Sequence, residues 1–250
     1  MTERIALLAD LHSNLEAFEA CMEHARYLGA TRYVFLGDIV GYNADPCALI
    51  DRVAGMVRAG QAQAVLGNHD QALFVDHSEK MNPDALAAVN WTREQVSSAQ
   101  MEFLRGLPLV INEEDICFVH ASAHNPDRWN YVSDDMGAWK CAEASGKTYT
   151  FVGHVHEPQL FYQTEIGKLR RFEPHPGRDV PVSRLRRWVS VVGSMGQPRD
   201  GNPDACMALF EPNSELITFH RVPYDYFTAA EKVRDAGLPE SLANRLITGH

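Results

Sequence analysis

Five short polar motifs punctuate the chain, each closing an apolar run: Asp10-Leu11-His12, Gly37-Asp38, Gly67-Asn68-His69-Asp70, His120 and Gly153-His154-Val155-His156. They supply the carboxylates of Asp10 and Asp38, the amide oxygen of Asn68 and the imidazoles of His12, His120, His154 and His156. Oxygen and imidazole donors without a thiolate suit hard to borderline divalent cations, and the set is large enough for two ions that share one aspartate. Residues two apart in an extended segment project to the same side, so Asp10 with His12, and His154 with His156, are each expected to converge. Asp38 ends an apolar strand, where a carboxylate has two oxygens to bridge cations and would be costly to bury without one. Gly153 is expected to permit close backbone approach. His69 lies beside Asn68 and is expected to point toward a substrate, with Asp70 holding its ring and setting its tautomer. Each fragment alone has a plainer reading. Asp-x-His is a strand end before a helix, Gly-Asp and Gly-Asn are turn pairs, and a single strand-end histidine is usually structural. The order of the set carries the metal reading.

These motifs need a frame. Ile5 to Ala9 is a continuous apolar run, the mark of a strand covered on both faces. A helix is expected from Ser13-Asn14 to about Leu28, a strand over Tyr33 to Leu36, a helix from Asp45-Pro46 to about Ala59, and a strand over Ala64 to Leu66. This β-α-β-α-β order argues for an open sheet with helices on its faces and a ligand site beyond the carboxyl ends of the strands, where Asp10, Asp38 and Asn68 fall. Residues from about Pro83 to Leu104 read as an α-helical cap near the site. A hairpin is expected over 109–119, a helix over 134–144 and a strand over 149–152. Short strands after His156, at about 159–162, 169–172, 188–192, 206–210 and 216–221, are expected to form a second sheet. The tail reads as two short helices broken at Gly237-Leu238-Pro239. Without repeats or a linker, residues 1–250 read as one α/β domain.

The 250 residues are 45% hydrophobic, enough for one substantial core. A net charge of −10 argues against general binding to nucleic acid or anionic membrane. The exception is a basic stretch from Lys168 to Arg187, read as a solvated hairpin or, more sharply, as an electropositive rim for polyanions. Five scattered cysteines without a C-x-x-C pair suit a reducing compartment, and the N-terminus has no secretory pattern, so a cytoplasmic location is expected.

The ordered motifs from Asp10 to His156 resemble the calcineurin-like metallophosphoesterase superfamily. Gly193-Ser194-Met195-Gly196-Gln197-Pro198-Arg199-Asp200-Gly201 is similar to the G-S-V-G-Q-P-R-D-G stretch of a bacterial metallophosphatase subgroup, with Met195 in place of Val. The resemblance implies a four-layer α/β/β/α sandwich, two mixed sheets flanked by helices, with residues 83–105 as a small helical cap insertion. It implies that Asp10, His12 and His156 bind one metal, that Asn68, His120 and His154 bind the other, and that Asp38 bridges them, with the ions roughly 3.5–4 Å apart. A bridging hydroxide would attack phosphorus, with His69 acting on the leaving oxygen and Asp70 orienting it. Mn²⁺ is the expected ion, with Fe, Zn²⁺, Co²⁺ or Ni²⁺ as alternatives. His124, Arg128 and Arg199 are the candidates for holding substrate, and the backbone amides of the 193–201 loop are candidates for phosphate; Arg199 and Asp200 pairing with each other is the plainer alternative. The Asp-Arg-Gly of phosphoprotein phosphatases is absent after Asp38, where the chain reads Ile39-Val40-Gly41-Tyr42. That departure, with Tyr42 expected at the edge of the site, favours a small phosphoester, nucleotide or dinucleoside polyphosphate over a phosphoprotein. The alternatives are a phosphoprotein phosphatase or a non-catalytic protein-binding scaffold of the same fold.

Overall fold

In the computed structural model, which describes residues 2–76 and 81–250, strand β1 (Ile5–Leu8) is buried at every position and serves two cores. Ala6 and Leu8 face helices α1 (Leu15–Tyr27) and α2 (Pro46–Arg58), among Phe18, Cys21, Leu49 and Val53. Ile5 and Leu7 face the other way, toward Phe118, Phe151 and Phe210. A strand with period-two alternation and no polar face must be covered twice, and here one cover is a helical layer and the other a second sheet.

The first sheet runs in the order β3 (Ala62–Ala64), β2 (Arg32–Phe35), β1, β11 (Ala205–Glu211), β12 (Leu216–Val222), β9 (Asp179–Pro181). The second runs β4 (Val110–Asn112), β5 (Ile116–Val119), β6 (Tyr149–Val152), β10 (Trp188–Val191), β7 (Gln159–Gln163), β8 (Leu169–Phe172). Helix α6 (Asp135–Ser145) covers the outer face of the second sheet through Ala138, Cys141 and Ala142, which pack on Val119, Val152 and Val191. The result is the four-layer α/β/β/α sandwich with two mixed sheets.

The strands after His156 do not all join one sheet, as the linear pattern suggested. β11 and β12 return to the first sheet, and β4 to β6 enter the second. The reason lies at β1. Parallel β2 satisfies one of its edges, and the other would expose unpaired backbone groups in the middle of the molecule. The long apolar β11 closes that edge antiparallel, with Ile5 opposite Phe210 and Leu7 opposite Ala208. Strand β9 had no sequence signal, because its three residues sit among charged ones and pair only with the edge of β12.

The helical stretch after residue 82 is two helices, α4 (Pro83–Gln95) and α5 (Ser98–Arg105). Val96 turns to ψ 137, and Ser97 with Gln100 forms a capping box that starts the second helix. Val89 and Leu104 join the core beneath α2, while Ala85 and Ala88 pack with residues of α7 (Tyr226–Asp235) and α8 (Glu240–Thr248). Asn14 caps α1, its Oδ1 accepting the Ala17 N–H at 3.1 Å. The five cysteines are free. Among the described residues no helix is long and apolar enough to cross a membrane.

Phe151 joins the two sheets, with its ring 5.7 Å from Phe118 and 5.0 Å from Phe210. Phe151→Ala is expected to cost about 3–5 kcal/mol in denaturant unfolding. Leu185→Ala, at a site 94% exposed, should stay within about 0.5 kcal/mol of the parent.

Candidate metal centre

The polar motifs meet where the carboxyl ends of β1, β2, β5 and β6 approach one another. The backbone there is not extended. Asp10 and His12 have φ of 53° and 48°, Asp38 has 51°, and His154 and His156 both have 67°. The convergence of Asp10 with His12, and of His154 with His156, therefore comes from left-handed turns and not from strand alternation. Such residues each cost roughly 1–2 kcal/mol, so neighbouring hydrogen bonds must hold them. The loops after β1 and β2 do so together: Asp10 N–H donates to the Gly37 carbonyl at 3.2 Å, His12 N–H to Asp38 at 2.8 Å and Ser13 N–H to Ile39 at 3.0 Å. The close approach expected at Gly153 is present, since a Cβ there would lie 2.6 Å from Asp10 Oδ2 and 2.7 Å from the Ala9 Cβ. His154 N–H donates to both Asp10 oxygens at 3.0 Å, tying the two sheets across this gap.

Three imidazoles are oriented in the same way. Nδ1 of His12 meets the Val40 carbonyl at 3.1 Å, Nδ1 of His120 meets Leu36 at 2.7 Å, and Nδ1 of His156 meets Gln197 at 2.6 Å. A carbonyl can only accept, so each Nδ1 carries the hydrogen and Nε2 is left as the ligating nitrogen. All three Nε2 atoms point inward. His12 Nε2 lies 3.0 Å from His156 Nε2, and His156 Nε2 lies 3.4 Å from Asp10 Oδ1. His120 Nε2 faces Asn68 Oδ1 at 3.0 Å, His154 Nδ1 at 3.2 Å and Asp38 Oδ2 at 3.3 Å. Asp38 Oδ2 is also 3.8 Å from His12 Nε2. The carboxylates and imidazoles form two buried triads able to hold a cation, Asp10-His12-His156 and Asp38-His120-His154, with a third grouping of His12, Asp38 and His69 between them.

The electrostatics are those of acceptors crowded without enough positive charge. Burial, then His156, holds His12 well below its ordinary range, and burial, then His120, pushes His154 down to about 3. His120 is the exception. Burial lowers it, but the Asp38 carboxylate, Asp10 and the Leu36 carbonyl together outweigh burial and raise it to about 9. Burial likewise raises Asp38, and His120 and His69 outweigh it, holding the carboxyl well below its usual range. One proton on His120 thus offsets Asp38. His12 Nε2 and His156 Nε2 face each other at 3.0 Å with both Nδ1 atoms committed to carbonyls, an arrangement that a shared cation would satisfy. The residues present fit a pair of divalent ions.

Asp70 does not hold the His69 ring. Its Oδ1 accepts the Val40 N–H and its Oδ2 the Gly67 N–H, both at 3.0 Å, so it braces the loop after β2 against the start of α3 (Asn68–Ala72). Burial, then Asp38, raises Asp70 to about 7. His69 is held by packing, with ring centroids 4.5 Å from Tyr42 and 5.0 Å from His12, and its buried Nδ1 has no partner. Its own N–H donates to Asp38 Oδ1 at 2.8 Å. Burial pushes His69 down to about 4. Tyr42 is not at the edge of the site: it is 4% exposed and fills the space between His12 and His69.

The Gly193–Gly201 loop braces the site with the groups that the sequence offered for phosphate. Met195 N–H and Gly196 N–H donate to Ala9 and Asp10 carbonyls at 2.9 Å, and Gln197 N–H donates to Ser194 Oγ at 2.8 Å. A Cβ at Gly196 would run into the Leu11 carbonyl, so only glycine fits. Arg199 does not pair with Asp200, whose partner is Arg221. It lies over Tyr42, 5.4 Å from the ring centroid, and donates to Gln197 Oε1 at 3.0 Å.

The ligand-type residues reach solvent on one flank. A cleft of about 530 Å³ is lined by Asn68, His154, Arg128, Trp129, Tyr131 and Gln71, among others. Of the substrate candidates, Arg128 lies on this cleft. His124 is exposed beside Asn125 and does not line it. Sequence reasoning missed the aromatic wall. Tyr131 stacks on His154 at 4.2 Å and is 59% exposed, and Trp129 sits edge-on to His120 at 5.8 Å. It also missed Asn43, whose Nδ2–H donates to the His12 carbonyl at 2.7 Å, and Arg245 of α8, whose Nη1–H reaches Gln197 Oε1 at 3.5 Å. These residues have no local motif, and only tertiary packing brings them here. The basic stretch is a surface feature: Arg170, Arg184 and Arg187 pair with Asp135, Glu215 and Glu143, and none of its residues lines this cleft.

An uncharacterized protein of Methanocaldococcus jannaschii is 33% identical over 250 residues, covering 98% of each chain. A metallophosphoesterase from Sphaerobacter thermophilus superposes with a TM-score of 0.86 at 35% identity, over 100% of both chains. A hypothetical protein from Pyrococcus horikoshii OT3 shares the fold, with a TM-score of 0.80 at 21% identity over 99% of this chain and 98% of that one. Residues 4–215 match the calcineurin-like phosphoesterase superfamily domain, and the chain belongs to that superfamily.

Proposed function

We propose that this chain is a dinuclear metal-dependent phosphohydrolase acting on a small phosphoester of nucleotide character. The superfamily is one of phosphoester hydrolases that use divalent metals. The observation that carries the reading is the apposition of His12 Nε2 and His156 Nε2 at 3.0 Å while both Nδ1 atoms are committed to backbone carbonyls. Asp10, His12 and His156 would hold one cation, Asn68, His120 and His154 the other, and Asp38 would reach both. When bound, such a pair of ions supplies Lewis-acid charge at the phosphoryl oxygens and activates water.

The chain's own residues do the rest. The carbonyl tethers keep each Nε2 available by fixing the tautomer. Asp70 holds the two loops that carry Asp38 and Asn68 in register. His69 is neutral in the free site, and the charge of a bound phosphate would raise its affinity for a proton. It can then hold that proton toward the leaving oxygen. Trp129 and Tyr131 offer flat apolar surface beside His154, and Arg128 adds charge at the rim. A cleft of this size and lining suits a base and sugar better than a folded phosphoprotein.

Three outcomes follow. Chelation should abolish hydrolysis and Mn²⁺ should restore it; full activity in metal-free protein, checked by elemental analysis, would contradict the reading. His69→Asn should keep metal content and lower kcat on the order of 10²-fold, whereas Asp38→Asn should lose metal; loss of both ions in His69→Asn would overturn the division of roles. Side by side at equal Mn²⁺, kcat/KM should be higher for diadenosine tetraphosphate or a nucleotide ester than for a phosphopeptide. A phosphopeptide preferred by about tenfold, roughly 1.4 kcal/mol of transition-state binding, would refute the substrate class.

A further inference from the structure

Arg199 and Arg245 approach one acceptor from distant parts of the chain. Arg199 ends the loop that braces Asp10, and Arg245 lies in α8, beyond the residues matched by the superfamily domain. Their guanidinium groups share Gln197 Oε1, Arg199 Nη2 at 3.0 Å and Arg245 Nη1 at 3.5 Å. Both residues are half-buried. Among the described residues, neither has an Asp or Glu side chain within the 4.0 Å of an ion pair. Arg199 Nε is buried without a partner, whereas Arg245 Nε donates to a main-chain oxygen of His250, the last residue of the chain, at 3.2 Å. The acid whose charge Arg245 feels is Asp84, which instead accepts the Ser241 hydroxyl at 2.6 Å. Burial, then the charge of Arg199, disfavours the charged form of Arg245.

Two guanidinium groups on one neutral oxygen repel each other and leave donors unused. An anion would answer both deficits, because each planar fork can grip a phosphoryl group. The location suits a substrate. Arg199 lies over Tyr42, which packs on His12 and His69. The pair therefore adjoins the cluster on its His12 flank, while the aromatic cleft opens on its His154 flank. We infer that Arg199 and Arg245 form a second anion subsite, which binds the non-reacting phosphoryl group of a substrate with two or more phosphates. The inference rests on the phosphohydrolase reading and extends it: base, reacting phosphate and distal phosphate lie in that order across the site.

The test is equilibrium binding, read by calorimetry on the full Mn²⁺-loaded chain. The ligands are α,β-methylene-ADP and AMP, which share a base and sugar and differ in the second phosphoryl group. The parent should prefer the two-phosphate ligand, and Arg245→Met should lower that preference on the order of tenfold. Ligand-free Arg245→Met should melt at the parent's temperature or above, since a repelling charge has been removed. A purely structural arginine gives the opposite pair of results, a lower melting temperature and an unchanged preference, and would overturn the subsite. Arg245→Gln gives the same readout if the methionine variant does not fold. Failure of the parent to hydrolyse any phosphoester, with the preference still lowered by the variant, would remove the hydrolase reading and leave the subsite. Intact hydrolysis with an unmoved preference would remove the subsite alone.

Discussion

Backbone carbonyls organise this molecule's chemistry. Leu36, Val40 and Gln197 each take the Nδ1 hydrogen of one histidine and so decide which nitrogen faces the cluster. Two of those carbonyls lie just after β2 and the third lies in the loop after β10, so imidazoles from three other loops are aimed by backbone that they do not belong to. The result is a buried set of acceptors that is unfavourable by itself and favourable around cations. Left-handed backbone at Asp10, His12, Asp38, His154 and His156 adds to that cost. A fold that carries such a site must be stabilised elsewhere, and the apolar layers between the two sheets and beneath the helices supply that stabilisation. Cation binding would then stabilise the folded state by mass action as well as complete the site.

The two-sheet architecture explains why the site forms at one end of the sandwich. β1 and β2 belong to one sheet and β5 and β6 to the other, and their carboxyl ends converge. Gly153 lets the sheets approach until a backbone amide of the second reaches a carboxylate of the first. The loop after β10 then closes over the end of β1, hydrogen-bonded to Ala9 and Asp10. Each turn that carries a candidate ligand is thereby held by a neighbour from another part of the chain. Asp70 belongs to this bracing, and its two backbone hydrogen bonds account for its burial without any contact to the His69 ring.

The inner residues were legible because chemistry restricts them. Few roles explain Asp10, His12, Asp38, Asn68, His120, His154 and His156 at successive strand ends, and the structure brings all of them together. Strand and helix positions were legible from apolar runs and caps such as Asn14. What the sequence hid was tertiary. Nothing local marks β11 as the partner of β1, since an apolar strand reads the same in either sheet. The candidate ligand turns looked extended because the enrichment of Asp and His at left-handed φ is too weak a signal to override the pattern of an apolar strand running into them. The phosphate-binding appearance of the Gly193–Gly201 loop misled because free amides and amides bonded to Ala9 and Asp10 have the same sequence. Trp129, Tyr131 and Arg245 reach the site from a loop and a C-terminal helix that carry no motif at all.

The central claim is that the inward-facing imidazoles and carboxylates hold two cations around Asp38. Anomalous diffraction from crystals grown with Mn²⁺ tests it most directly. The account predicts two peaks, one bounded by Asp10, His12 and His156 and the other by Asn68, His120 and His154, with Asp38 in contact with both. A single peak, or none, with His12 and His156 still apposed in the same crystals, would contradict it.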